Sequence, residues 1–567
     1  MSDFLFASTP QPAGRLRAIL ERRLAALPVD VGERSGAWGS VAWAQLPHES
    51  PMLREDGAAV RLLAGDPLPA REGAEPRYDG PFAELTLAGA GGRATTDLMA
   101  FIPVFVADDT PAGLVIGTHV DAVAEAAARL DDFDPVSGAD FLAYGSLVYP
   151  HTLYDGVWQM APAAEWRFER GRWTERRAYW TPHEENPYRT LREAAAALRE
   201  ALADDVARAL AGVERAGMLL SAGEDSRVVL GAVPRGVPID AFTFADWEGR
   251  EVRIARRIAR AYGADFTLGL RRFGHSLEQF EDVASFVGSQ HQFIDVHAWG
   301  VHDALHLDRL PVVLGGFSSD VLLKAYYAPA KLRRSQPQKK HPRETDPVRR
   351  GKAGGVRSEL IDAARERRER RRNELRETRP LSATEWMWIW PFSGRKPAAA
   401  YVGHRRLFRV HEPFMSDAIV RLAAAVPVEW KLDRRLFHAA MRPYLRPSWY
   451  VPHARNMFPY FGMFTSFALG AGLGLGRLVH DAARLRTRRH QGPWPDWWTV
   501  VRSEIFVERA ERYPIETARA RVLFDAESPA AIDATRRRWG PKRQMMYLQL
   551  AYLTQEGAGA RPSAFAG

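Results

Sequence analysis

Residues 218–231 read Met-Leu-Leu-Ser-Ala-Gly-Glu-Asp-Ser-Arg-Val-Val-Leu-Gly, an apolar run that breaks into small and acidic residues before apolar residues resume. Small residues at 221–223 let the backbone turn tightly, which aims main-chain N–H groups and the N-terminus of the following helix at an anion. The hydroxyls of Ser221 and Ser226 add donors suited to phosphate oxygens, and the Asp225 carboxylate can hold Mg²⁺ beside them. A Walker A loop needs a Lys after its last Gly, and none stands here. Two readings stay open for these residues alone: a phosphate cradle, or a plain strand-to-helix turn in which Asp225 is a helix cap.

The flanking pattern says what must position such a loop. Leu191, Ala195, Leu198, Leu202, Val206 and Leu210 recur every three or four residues, predicting an amphipathic helix that leads into the loop's strand. A strand at 241–245, a helix at 250–262, a strand at 266–270 and an apolar strand at 310–314 follow. The last strand runs into Gly315-Gly-Phe-Ser-Ser-Asp320. Strands alternating with helices of this length predict an α/β domain with a doubly wound parallel sheet, whose ligands sit at the C-terminal strand ends where both loops fall. The first 180 residues differ. Short β-rich runs at 60–63, 83–87, 102–106 and 113–116, with helices at 122–130 and 139–147, predict an α+β unit.

Composition is that of a globular protein, with 46% hydrophobic and 26% charged residues. The chain has no Cys, which excludes disulfides, thiolate metal sites and a Cys nucleophile. The net charge of +9 suggests nucleic acid until it is located: Lys331–Arg379 holds 18 Lys and Arg against 8 Asp and Glu, the entire excess. Aromatic residues are not interleaved with these charges, so nucleic acid is not the expected partner. The segment reads as a mobile basic insertion, its second half a solvated helix of alternating Arg and Glu. The uncharged stretch 456–476 is broken by Pro459 and five Gly, which argues against a membrane span. With no leader pattern at Met1–Phe6, a cytoplasmic protein is expected. His291, His297, His302 and His306 read as core or surface histidines, and the period-two Trp386, Trp388 and Trp390 as one face of a strand.

Seven motifs in order give the chain a resemblance to the asparagine synthetase family, and the likeness spans nearly its whole length. The Ser221–Ser226 loop resembles the Ser-Gly-Gly-x-Asp-Ser pyrophosphate loop of enzymes that cleave ATP to AMP and pyrophosphate. Asp97–Phe105, Thr152–Val157 with the Tyr179-Trp180 pair, Ala241–Phe244, Gly315–Asp320, Glu412–Asp417 and Arg455–Phe458 resemble further family segments in turn. The resemblance implies an N-terminal-nucleophile-hydrolase-like sandwich over 1–182. It implies an ATP pyrophosphatase domain over 190–557, adenine nucleotide α hydrolase-like, with the basic insertion near 331–379. It assigns Leu219, Ser221, Gly223, Asp225, Ser226, Thr243 and Gly316 to ATP, Asp225 and Asp320 to Mg²⁺, and Arg455 and Lys431 to catalysis.

Departures from the family refine the expectation. Its glutaminases use a Cys at position 2 and Asn residues for the oxyanion and the glutamine; here position 2 is Ser2 and the first 185 residues contain no Asn. Phe317 and Val321 replace two acids of the second loop, a pattern closer to β-lactam synthetases, which like lasso-peptide cyclases lack the Cys. The expected function is therefore an ATP-dependent ligase that adenylates a small-molecule or peptide carboxylate and joins it to an amine without glutamine. Ammonia-dependent asparagine synthesis and a non-catalytic nucleotide-binding protein remain as alternatives. Ala222 stands where the loop has Gly, tolerable only with a negative φ.

Overall fold

The computed structural model describes residues 3–555 except 49, 51–52, 57–58, 72–75, 329–353, 395–397, 455–456, 463–464, 467, 473–493 and 526–527. Up to Ala178 the chain builds two six-stranded antiparallel sheets. One is centred on Phe4–Ala7, buried along its whole length because it pairs on both sides, with 113–117 and 39–45. Phe6 of this sheet meets Phe168 of the other with ring centroids 5.2 Å apart, so the sheets pack face to face. Helices Arg15–Arg23 and Val120–Ala126 pack against strands of the first sheet.

The strand expected at 102–106 begins only at Phe105. The reason lies in Asp97, which is buried and accepts N–H bonds from Met99 at 2.9 Å and Phe101 at 3.0 Å, curling the chain before the strand can start. Burial pushes its carboxyl up to about 7, against the pull of these backbone donors.

The architecture changes between Ala178 and the helix Leu191–Ala209. Thr190 caps that helix by accepting the Glu193 N–H at 3.2 Å, and Ala194, Ala195, Leu198, Leu202 and Val206 form its buried stripe. A five-stranded parallel sheet follows, with strands 216–219, 239–245, 265–270, 313–314 and 410–411. In chain order they lie 3-2-1-4-5 across the sheet, with Met218 opposite Ala241 on one side and Leu314 on the other. The order reverses between 216–219 and 313–314, and that crevice is where such sheets bind ligands. Only Val313 and Leu314 of the apolar run 310–314 pair in the sheet.

Two expectations are corrected. The basic segment's second half is a helix, Ser358–Arg376, but only one face of it is solvated: Arg368 is 2% exposed and Arg371 8%. Arg368 Nε lies 2.5 Å from Asp140 Oδ1, itself buried on the helix Pro135–Tyr144, and its Nη2 donates to Ser146 O at 2.7 Å. Charge alternation looked like a wet surface because the acid that pairs with Arg368 lies 228 residues away in sequence, whereas Arg371 pairs with Glu374 three residues on. The first half, 329–353, lies outside the described residues, as does part of 456–476.

The Trp trio is not a strand either, since Ala383–Trp386 is helical and turns follow. Its rings instead receive buried guanidinium groups: Arg379 over Trp386 at 4.2 Å, Arg368 over Trp388 at 5.1 Å and Arg371 over Trp390 at 5.3 Å. Among the described residues no helix is long and apolar enough to cross a membrane.

The Arg368–Asp140 pair generates a prediction. Arg368→Leu leaves a buried carboxylate without its cation, a loss of about 3–5 kcal/mol. Chemical denaturation should show that loss, and Arg368→Leu combined with Asp140→Leu should recover part of it; an unchanged midpoint in the single variant contradicts the packing described.

Candidate nucleotide site

Loop 221–226 and loop 315–320 leave neighbouring strands, and the second rests directly on the first. A Cβ on Gly316 would come 2.7 Å from Ser226 N and 2.9 Å from Asp225 C, so only Gly lets the two backbones touch. Gly315 faces the Glu412 carboxylate in the same way, and Glu412 Oε2 accepts the Phe317 N–H at 2.7 Å. Ser318 takes the position that is Gly in the resembled Ser-Gly-x-Gly-x-Asp motif. It adopts φ 77°, fully buried, a conformation costing on the order of 1 kcal/mol for a non-Gly residue.

The first loop closes on itself. Ser226 Oγ accepts the Ser221 N–H at 3.1 Å, the two hydroxyls lie 3.2 Å apart, and Ser221 Oγ accepts the Gly223 N–H at 3.0 Å. Ala222 is not among the residues with positive φ, and its N–H donates to Glu251 at 2.7 Å, so Ala fits where the resembled loop has Gly. Asp225 opens the helix Asp225–Ala232 without capping it. Arg227, buried, donates to Val451 O at 2.7 Å and Pro452 O at 2.8 Å, stapling the segment that leads to Arg455 beneath this loop. Arg455 itself lies outside the described residues.

A cavity of about 420 Å³ opens between the loops. Leu219, Ser221, Asp225, Ser226, Thr243, Gly316 and Asp320 line it, so the structure brings together most of the residues assigned to nucleotide and metal. Thr243 is held by donating to Leu220 O at 2.6 Å. Gly223 does not line the cavity. Neither does Lys431, which is buried with its ammonium 5.8 Å from the Trp386 ring centroid. Burial pushes its pKa down, opposed by the nearby Glu385 charge.

Phe242, Phe244, Phe317, Tyr401 and Trp494 give the cavity apolar walls. His297 and His404 join them; burial pushes His404 down to about 4 and holds His297 well below its ordinary value, so both are neutral imidazoles near pH 7. Among the described residues no group of three His, Asp or Glu is arranged to hold a metal.

A residue the sequence did not single out reaches the expected Asp225–Asp320 metal pair. Lys324 Nζ sits 2.5 Å from Asp225 Oδ1 and 3.1 Å from Glu224 Oε1, while Arg434 Nη2 lies 2.6 Å from Glu224 Oε2. Asp225 Oδ1 thus has an ammonium for a neighbour, and Asp225, Asp320, Glu251 and Glu412 all line the cavity. Burial would raise the Glu224 carboxyl, but Arg434 and Lys324 outweigh it and hold it at about 2. Asp225 is raised, by burial first and by the Glu224 charge. A signal for Lys324 did exist: it is the sole charge in the run Val321–Tyr327, four residues after Asp320.

Residues 197–463 match the asparagine synthase family model. No curated protein matches the chain. Among solved structures, the allosteric regulatory enzyme of purine biosynthesis is similar over 47% of this chain and 80% of its own, at 9% identity and a TM-score of 0.23. A glutamine phosphoribosylpyrophosphate amidotransferase from B. subtilis, complexed with ADP and GMP, is similar over 47% of this chain and 65% of its own, at 10% identity and a TM-score of 0.21.

The backbone contact at Gly316 can be tested. Gly316→Ala should force the loops apart and weaken binding of a fluorescent ATP analogue by roughly tenfold or more, with the melting temperature lowered only modestly. Unchanged affinity would show that the two loops do not form one site.

Proposed function

Because the chain belongs, through residues 197–463, to the asparagine synthase family of ATP-dependent carbon–nitrogen ligases, we propose that it activates a carboxylate as its adenylate and joins it to an amine already in hand, without hydrolysing glutamine. The observation that carries this reading is the pair of loops at the sheet's switch point, held in backbone contact around one cavity lined by Ser221, Asp225, Ser226 and Asp320.

In this reading the substrate carboxylate attacks the α-phosphorus of ATP and pyrophosphate leaves. The leaving group is received by the Ser221 and Ser226 hydroxyls, the loop N–H groups and the N-terminus of the helix that starts at Asp225. The hydroxyls bond to each other in the closed loop, and trade that contact for phosphate oxygens. Magnesium, when bound at Asp320, would neutralise phosphate charge. The amine then attacks the acyl carbon, AMP departs, and an amide forms. Most of the chain's contribution is placement of reactants and fixed charge rather than covalent chemistry. Phe242, Phe244, Phe317 and Tyr401 suit an acyl donor with an apolar body.

Independence from glutamine rests on the absence of any Cys in the 567 residues and of any Asn before Asn186. Asp3 supports it. Its carboxylate is fully buried against Arg406 at 2.7 Å and Arg405 at 3.3 Å, and accepts the Thr118 hydroxyl at 2.8 Å. Burial would raise its pKa, but the two guanidinium groups outweigh that and hold it far below the usual range. The start of the first strand is thereby committed to contact with the helix Ala398–Leu407.

Isotope exchange of pyrophosphate into ATP, run against a panel of apolar carboxylates and peptides, tests this function. Exchange is expected with at least one of them without glutamine, and glutamine should yield no glutamate above background. Asp320→Asn should slow exchange roughly a hundredfold. Products of ADP and phosphate, or glutamate released at the rate of exchange, would overturn the proposal.

A further inference from the structure

The cavity has a second set of polar groups besides those on the two loops. The helix Ala398–Leu407 places Ala400, Tyr401 and His404 on its wall, the last two one helical turn apart and 4% and 7% exposed. This helix lies directly on the chain at 296, since a Cβ on Gly403 would come 2.6 Å from Val296 Cγ1. That close approach sets the His404 and His297 rings 6.4 Å apart, and the Trp494 ring lies 3.7 Å from that of His297. Tyr401 is steadied by an edge contact with Phe101, the ring centroids 6.5 Å apart.

Three polar groups therefore meet at the cavity with bonds unmade. Among the described residues, His404 Nε2 and His297 Nδ1 are buried without a partner, and no hydrogen bond reaches the Tyr401 hydroxyl. All three are uncharged near pH 7, because burial lowers both imidazoles and raises the phenol. Charged residues of the wall already have partners: Arg271 Nε lies 2.9 Å from Asp246 Oδ1, and Glu412 Oε2 accepts the Phe317 N–H at 2.7 Å.

A buried polar atom without a partner costs stability, and a ligand that supplies the missing bond recovers that cost. A hydrocarbon chain cannot supply it. A peptide amide can, because it carries one acceptor and one donor, and a phenol and neutral imidazoles take both roles.

We propose that Tyr401, His404 and His297 read an amide in the body of the acyl donor, so that the substrate is an N-acylated amino acid or a peptide rather than a hydrocarbon acid. The proposal rests on the ligase reading for the carboxylate and its place in the cavity. Phe242, Phe244 and Phe317 then take the apolar groups that flank the amide.

Calorimetric titration of the full chain, loaded with a non-hydrolysable ATP analogue, tests this with N-hexanoylglycine and nonanoic acid, which match in chain length and differ in the amide. Wild type should prefer N-hexanoylglycine by roughly a hundredfold. Tyr401→Phe and His404→Phe should each cut that preference roughly tenfold, with affinity for the ATP analogue unchanged. A wild type that binds the two acids alike, prefers nonanoic acid or binds neither would overturn the proposal. So would a preference that survives in both variants, or a loss of ATP-analogue affinity in them, which would give these groups to the nucleotide base. The wild-type comparison needs no variant, so a misfolded variant leaves the test standing. A wild type with the expected preference but no pyrophosphate exchange would instead fault the ligase reading.

Discussion

The arrangement around the first loop depends on one ion-pair network, Lys324 shared between Asp225 and Glu224 with Arg434 closing the far side. Two buried acids next to each other are unstable unless cations are supplied, and removing one partner of such a cluster costs more than the cluster itself contributes. The network therefore ties three distant pieces of chain together: the turn after the first strand, the end of the second loop's helix, and the strained turn at 433–434. Gly316 completes the contact, because the charge network can reach across only if the backbones touch. Loop geometry and charge balance are one problem with one solution.

The same device recurs between the two halves of the molecule. Asp3 with Arg405 and Arg406, and Asp140 with Arg368, are buried ion pairs that join the antiparallel sandwich to helices standing between the last two strands of the parallel sheet in the chain. Apolar residues from both halves share one continuous buried cluster. Arginines stacked on Trp386, Trp388 and Trp390 extend this seam. The sandwich is thus packed against its neighbour through buried charge and apolar contact alike.

Legibility in the sequence followed the range of the interactions. The loop Ser221–Ser226, the helix Leu191–Ala209 and the helix Arg250–Tyr262 were readable because turn chemistry and apolar periodicity are local. The cavity-lining set from Leu219 to Asp320 was readable as motifs at strand ends. Lys324 was not, because its meaning comes from acids about 100 residues earlier. The helix Ser358–Arg376 was misread for the same reason: alternating Arg and Glu looks solvated until Asp140 is brought to it. Lys431, expected in catalysis, is buried and does not line the cavity. The positive φ of Ser318 needed the structure.

The central claim is that a carboxylate oxygen becomes bonded to the α-phosphorus. The most direct measurement uses the carboxylate that supports exchange, labelled with ¹⁸O in its carboxyl group, and mass spectrometry of the nucleotide product. Adenylation predicts AMP carrying one heavy oxygen, because the amide keeps one carboxyl oxygen and the phosphate keeps the other. Unlabelled AMP, or label appearing in inorganic phosphate beside ADP, would contradict it.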